Sequence, residues 1–249
     1  MMKIYLVKTI IKITVVLLGI ISIAACSTNY EVYMKRGDEY LTTGEYDKAI
    51  IEYDKAIAEE PALSTLYYKR GITYLTSGRY EQSITDLSKA IELSPDMAQA
   101  YLERAVAYGN SGQLDKAIAD LSQVIEIDPT SAIAYNNRGS AYLNTGEYDL
   151  AIVDLTSAID LKSDYAEAYS NRGWAYFRVQ YFESALNDLN KAINLDPDLA
   201  IAYCNRGWVY YQKQKYDQAL ADFIKTVELT DNPELLKAAN EMIKALASR

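Results

Sequence analysis

Residues 169–197 read YSNRGWAYFRVQYFESALNDLNKAINLDP, and the fold follows from this stretch. Tyr169, Gly173 and Tyr176 fall at i, i+4 and i+7, so they share one face of a helix. Ala185, Leu189 and Ala192 repeat that spacing on a second helix. Asp196-Pro197 then ends it, because proline lacks an N–H and disfavours helical backbone in the residue before it. The stretch is a helical hairpin. It occurs six times with a period of 34 residues, over 30–63, 64–97, 98–131, 132–165, 166–199 and 200–233. Such a period denotes a stacked array, in which each unit buries the apolar face its neighbour cannot bury alone.

Three series run through all six units on the first helix. They are Tyr33, Tyr67, Tyr101, Tyr135, Tyr169 and Tyr203; Gly37, Gly71, Ala105, Gly139, Gly173 and Gly207; and Tyr40, Tyr74, Tyr108, Tyr142, Tyr176 and Tyr210. The second helix adds Ala49, Ser83, Ala117, Ala151, Ala185 and Ala219. Small residues let the two helices approach closely, and the tyrosines fill the space beside them. Tyrosine (23) therefore outnumbers phenylalanine (3) for architectural reasons.

This cadence resembles the tetratricopeptide repeat (TPR), with tyrosine at 33 and its equivalents where the family often has tryptophan. The resemblance covers all six units and implies an all-α, right-handed superhelical solenoid. Gly44, Gly78, Gly112 and Gly146 suit left-handed turns between the paired helices. Gln180 and Gln214 break that series, and Ser163 replaces the closing proline of the fourth unit, so different turns at 180 and 214 and a looser turn at 163 are expected. Residues 234–249 read as a C-terminal capping helix, started by Pro233 and striped by Leu235, Ala239, Met242 and Leu246.

Composition narrows the function. There is no histidine, the side chain best suited to proton transfer near neutral pH. The sequence contains no phosphate-cradling glycine loop, nucleophile elbow or metal-ligand spacing, and its regular carboxylates recur once per unit, too dispersed for a catalytic pair. Neither an enzyme nor a cofactor is expected. A net charge of −9 argues against nucleic acid as a partner.

The N-terminus reads as an address. Lys3, Lys8 and Lys12 precede an apolar run over 13–23, and Ala24-Ala25 precede Cys26: a basic head, a short apolar body and small residues before a cleavage point. IAAC at 23–26 resembles the lipobox of bacterial lipoproteins, which implies cleavage before Cys26 and acylation of that cysteine. An uncleaved membrane-spanning anchor is the alternative, but the apolar run is shorter than the roughly 20 residues a spanning helix needs. Cleavage at 25 removes three lysines and no acid, taking the net charge from −9 to −12, so lipid rather than headgroup attraction must hold the protein. Residues 26–29 are a linker too short to let the array stray far from the bilayer. Ser27 is not the aspartate associated with inner-membrane retention in enteric bacteria, so the expectation is the outer membrane, facing the periplasm.

Two sets of residues are candidates for function. Arg36, Arg70, Arg104, Arg138, Arg172 and Arg206 recur with Glu52, Asp86, Asp120, Asp154, Asp188 and Asp222 at a matching level of the second helix. These are expected to form an arginine–carboxylate pair in each unit or between neighbours; the competing reading is an anion-binding ladder. The second set lies one residue off the tyrosines on the first helix, where the sequence varies. In the TPR family first helices line a concave groove for peptides or partner helices. Carried onto this chain, the resemblance implies an apolar stretch at Tyr68, Ile72 and Leu102, a polar middle at Asn136 and Ser140, and an aromatic end at Trp174, Phe177, Trp208 and Tyr211. Packing between successive first helices competes for the smaller of these. The carboxylate clamp of chaperone-type TPR domains is not implied, since Met34, Asp38, Tyr68 and Ile72 occupy its places. The expected function is a membrane-anchored scaffold that binds a protein or peptide during assembly or docking of envelope machinery. The alternative is a module that binds a glycan or small peptide at the aromatic end.

Overall fold

A computed structural model of the chain describes residues 29–247; the expected leader and Cys26 lie outside them. Among the described residues there are thirteen helices and no strand. In chain order they are α1 (Asn29–Thr42), α2 (Tyr46–Glu59), α3 (Ser64–Thr76), α4 (Tyr80–Leu93), α5 (Ala98–Asn110), α6 (Leu114–Ile127), α7 (Ala132–Thr145), α8 (Tyr148–Leu161), α9 (Ala166–Arg178), α10 (Phe182–Leu195), α11 (Ala200–Gln212), α12 (Tyr216–Leu229) and α13 (Pro233–Ala247). Helices α1 to α12 pair in sequence as six hairpins. The chain divides into two compact units. Residues up to Pro95 contain the first two hairpins, and residues from Asp96 contain four hairpins and α13.

The small residue of each first helix sets the pairing. A Cβ on Gly71, Gly139 or Gly173 would stand 2.9, 2.7 or 2.8 Å from the Leu87, Leu155 or Leu189 side chain. Those leucines are fully buried, each contributing about 1.5–3 kcal/mol by leaving water. Phe223 takes the leucine's place opposite Gly207, and Tyr53 takes it opposite Gly37. Tyr53 is fully buried and donates its hydroxyl to Asp38 at 2.7 Å, and Lys69 donates to the same carboxylate at 2.8 and 3.0 Å. The first hairpin thus satisfies by a polar bridge what its neighbours satisfy by leucine.

Four of the turns within hairpins have glycine with positive φ: Gly44 (75°), Gly78 (75°), Gly112 (76°) and Gly146 (86°). Gln180 (φ 66°) and Gln214 (φ 58°) form the same turn rather than a different one. In each case the next N–H donates to the carbonyl of the second tyrosine series: Glu147 to Tyr142 at 2.8 Å, Tyr181 to Tyr176 at 2.8 Å, Lys215 to Tyr210 at 2.9 Å. The closed hydrogen bond holds glutamine where glycine is easier. Nor is the turn at Ser163 looser. Lys162 N–H donates to Ala158 at 2.9 Å and Tyr165 N–H to Lys162 at 3.2 Å, as Asp128 and Ser131 do one unit earlier. Proline only stops the helix, and the C-cap bond does so without it.

The last hairpin is closed by α13. Asn232 caps it, its side-chain oxygen accepting from the N–H groups of Glu234 and Leu235 at 3.0 Å each. Ala239, Met242 and Leu246 are buried in a cluster with Cys204, Ala219 and Phe223.

Candidate functional site

The arginine series is a structural clamp. Nε and Nη2 of Arg70, Arg104, Arg138, Arg172 and Arg206 each donate to the aspartate sixteen residues on, at 2.7–3.0 Å. Within each compact unit Nη1 reaches back sixteen residues to the preceding second helix. Arg70 meets Asp54, Arg138 meets Ser122 Oγ at 2.9 Å, Arg172 meets Thr156 Oγ1 at 3.1 Å and Arg206 meets Asn190 Oδ1 at 2.7 Å. Rings of the tyrosine series flank the cation, as Tyr169 (5.7 Å) and Tyr176 (5.8 Å) flank Arg172. The hydrogen bond to Asp154 raises the Arg138 pKa above the ordinary arginine value and outweighs its desolvation. Three of the five N–H donors of the guanidinium are engaged in this way, and its charge is neutralised by the aspartate.

The first unit departs from the expected pairing. Arg36 is exposed and forms no ion pair among the described residues, while Glu52 is paired with Lys55 and leaves its Oε2 buried without a partner. The position sixteen residues before Arg36 lies outside the described residues.

The candidate groove residues fall into distinct settings. Tyr68 and Ile72 are half-buried on α3 of the first compact unit. Leu102 is half-buried on α5 of the second and packs against the cluster of Ala105, Ala117, Leu121, Val124 and Ala134. Asn136 is only 7% exposed. It donates to Asn137 at 3.3 Å and accepts from Asn171 Nδ2 at 3.1 Å, tying α7 to α9. Its equivalents Ser170 and Cys204 are also buried, so in these units this column packs first helix on first helix. The polar middle available to a ligand is therefore Ser140, which is half-buried.

The four aromatic residues separate into two clusters. Trp174 stacks on Phe177 at 5.0 Å and 28°, and Phe177 leans on Phe182 at 6.1 Å. The Arg178 guanidinium lies 5.8 Å from the Trp174 ring and 4.6 Å from that of Tyr148. Trp208 instead meets the buried Phe223 edge-on at 5.7 Å, with Tyr211 at 6.1 Å, and packs against the cluster that holds α13. Trp208 therefore cannot be removed without structural cost. Cys204, in the same cluster, is a buried free thiol whose pKa burial pushes up to about 11, with Trp208 opposing that shift by hydrogen bonding.

A feature the sequence reading passed over lies between α5 and α7. A cavity of about 290 Å³ is lined by Val106, Gly109, Leu114 and Leu121 and by the polar side chains of Asn110, Asn137, Ser140 and Asn144. Its signal in the sequence is Gly109, the glycine in a column otherwise filled by Leu41, Leu75, Leu143, Phe177 and Tyr211. No cluster of three or more potential metal ligands occurs among the described residues, and no described helix is long and apolar enough to cross a membrane.

The repeat geometry and sequence together define the class. The family model described as TPR repeat matches residues 37–78, 73–112, 110–146, 139–180 and 181–214, and that described as tetratricopeptide repeat matches 200–231. The chain belongs to the tetratricopeptide repeat family. Among solved structures it is similar to a crystal structure of MamA (30% identity, TM-score 0.58, 66% of this chain and 90% of that one). A tetratricopeptide repeat protein from Parabacteroides merdae ATCC 43184 matches at 21% identity and TM-score 0.69, over 90% of this chain and 86% of that one. Cut9, in the APC/C Cut9–Hcn1 hetero-tetramer, matches at 18% identity and TM-score 0.73 over 88% of this chain, which spans only 42% of that one. YrrB, a TPR protein described as having an unusual peptide-binding site, matches at 21% identity and TM-score 0.58, over 76% of this chain and 97% of that one. No match was found among curated proteins.

Proposed function

We propose that the chain is a non-catalytic scaffold that holds a protein or peptide partner on its first-helix face, lipid-anchored through Cys26 at the bacterial outer membrane and facing the periplasm. One observation carries the binding reading. Most residues that recur in every unit are consumed by packing and by the arginine clamps, whereas the stacked Trp174–Phe177 pair is half-buried and belongs to no repeat-wide series. Large aromatic side chains of this kind concentrate binding energy. YrrB, described as a TPR protein with an unusual peptide-binding site, supports peptide binding on this fold. The anchor rests on the basic head, apolar run and IAAC at 23–26.

A photo-crosslinking residue at position 174 in living cells tests the binding reading. It is expected to trap one envelope protein that the same residue on the exposed second-helix position 187 does not trap. Equal trapping from both positions would overturn it. Labelling with radioactive palmitate tests the anchor: label on the wild type and none on Cys26→Ala is expected, and equal labelling would refute lipidation.

A further inference from the structure

The cavity at Gly109 has a shape that the array itself explains. Leu143, Phe177 and Tyr211 occupy the same column one, two and three units on, and each packs into the cluster of its own unit. At Gly109 that side chain is missing, and a Cβ built there meets nothing within 4 Å. The small-residue column departs in the same unit. Ala105 carries the Cβ that would stand 2.5–3.0 Å from the facing side chain at the five glycines. The notch beside α7 is lined by both apolar and amide side chains.

The lining of the notch specifies the ligand. No residue lining it is charged. The side-chain amides of Asn110 and Asn144 hydrogen-bond to no described residue, and Asn137 uses only its carbonyl oxygen, accepting from Asn136. Each free amide offers a donor and an acceptor, the complement of a peptide group. A charged ligand would lose hydration here and find no counter-charge. We propose that the notch at Gly109 is an anchor pocket for one branched aliphatic side chain of a neutral peptide segment, whose backbone is held by Asn110, Asn137 and Asn144. The partner thus supplies in trans the leucine that this unit lacks. The proposal rests on the reading that the first-helix face binds a peptide, and it names what that peptide must present.

Gly109→Leu is the decisive variant. It fills the notch from within and replaces a helical glycine, so its melting temperature is expected to equal or exceed that of the wild type. The probe is a random library of dodecapeptides with acetylated and amidated ends, selected on the detergent-solubilised full chain. The selected peptides are expected to share an aliphatic residue at one fixed position. Their affinity is expected to fall at least tenfold for Gly109→Leu and by an intermediate factor for Gly109→Ala. If they bind Gly109→Leu like the wild type but lose affinity for Trp174→Ala, the notch is not the anchor and the peptide-binding face stands. If no peptide is selected, or the peptides bind every variant equally, both readings fall.

Discussion

Replacing Arg138 by methionine isolates what the clamps do. The guanidinium gives two hydrogen bonds to Asp154, at 2.7 and 2.9 Å, and one to Ser122 of the preceding hairpin at 2.9 Å. Asp154 is 4% exposed, so removing its cation leaves a carboxylate buried and unpaired, a loss of about 3–5 kcal/mol. The lost hydroxyl contact adds about 1 kcal/mol. Methionine covers much of the same apolar surface, so little of the deficit comes from packing. The double variant Arg138→Met/Asp154→Leu removes the stranded charge and is expected to return to within about 1–2 kcal/mol of the wild type, because ion pairs of this kind add little net stability over apolar residues. Urea unfolding followed by both circular dichroism and tryptophan fluorescence measures the cycle and checks that the transition is cooperative. A single variant within about 0.5 kcal/mol of the wild type, with anion binding lost, would refute the structural assignment.

Other perturbations give distinct outcomes. Trp208→Ala is expected to cost about 3 kcal/mol because the ring packs on Phe223 and the α13 cluster, while Trp174→Ala costs about 1 kcal/mol; equal costs in denaturant melts would contradict the separation of the two aromatic clusters. Gln214→Gly relieves a side chain held at φ 58° and is expected to gain about 0.5–1 kcal/mol after the added chain entropy; a loss would show that the glutamine side chain contributes contacts of its own. Burial raises the Glu103 pKa, so the native state favours its protonated form and stability falls as pH rises through that value. Glu103→Gln should therefore raise the melting temperature at neutral pH and leave it unchanged in acid, and the same shift at both would sink the account.

The sequence contained most of the fold because its period is a distance. Tyr169, Gly173, Ala185 and Leu189 fix two helix faces, and six registered copies fix how those faces meet. The paired arginines and aspartates were legible for the same reason. The departure of the first unit was not: Arg36 has the right spacing to Glu52, yet Glu52 pairs with Lys55 on its own helix. Trp174 and Trp208 occupy the same repeat position, so spacing gives them one role. Phe223 stands where the four preceding hairpins have leucine and meets Trp208 edge-on, a pair effect across two helices. Asn136 looked like a groove residue because it is polar, but its amide is used between α7 and α9. The notch is visible in sequence as Gly109 alone, while its meaning depends on amides of α5 and α7 that only the fold brings to its lining.

The sixteen-residue reach of each arginine has a consequence for how such a chain can change length. Arg138 binds Asp154 ahead and Ser122 behind, and Arg172 binds Asp188 ahead and Thr156 behind. Excising residues 132–165 would place Arg172 against Ser122, exchanging one hydroxyl for another, with its own aspartate untouched. A cut of 34 residues therefore conserves each arginine–aspartate pair and rebuilds the backward hydroxyl contact, whereas a cut one residue longer or shorter moves the join out of register and loses that contact. Recombination between copies is in effect proofread by this backward contact: in-register losses and gains keep it, and the array can lengthen or shorten by whole units while the first-helix face changes by one column at a time.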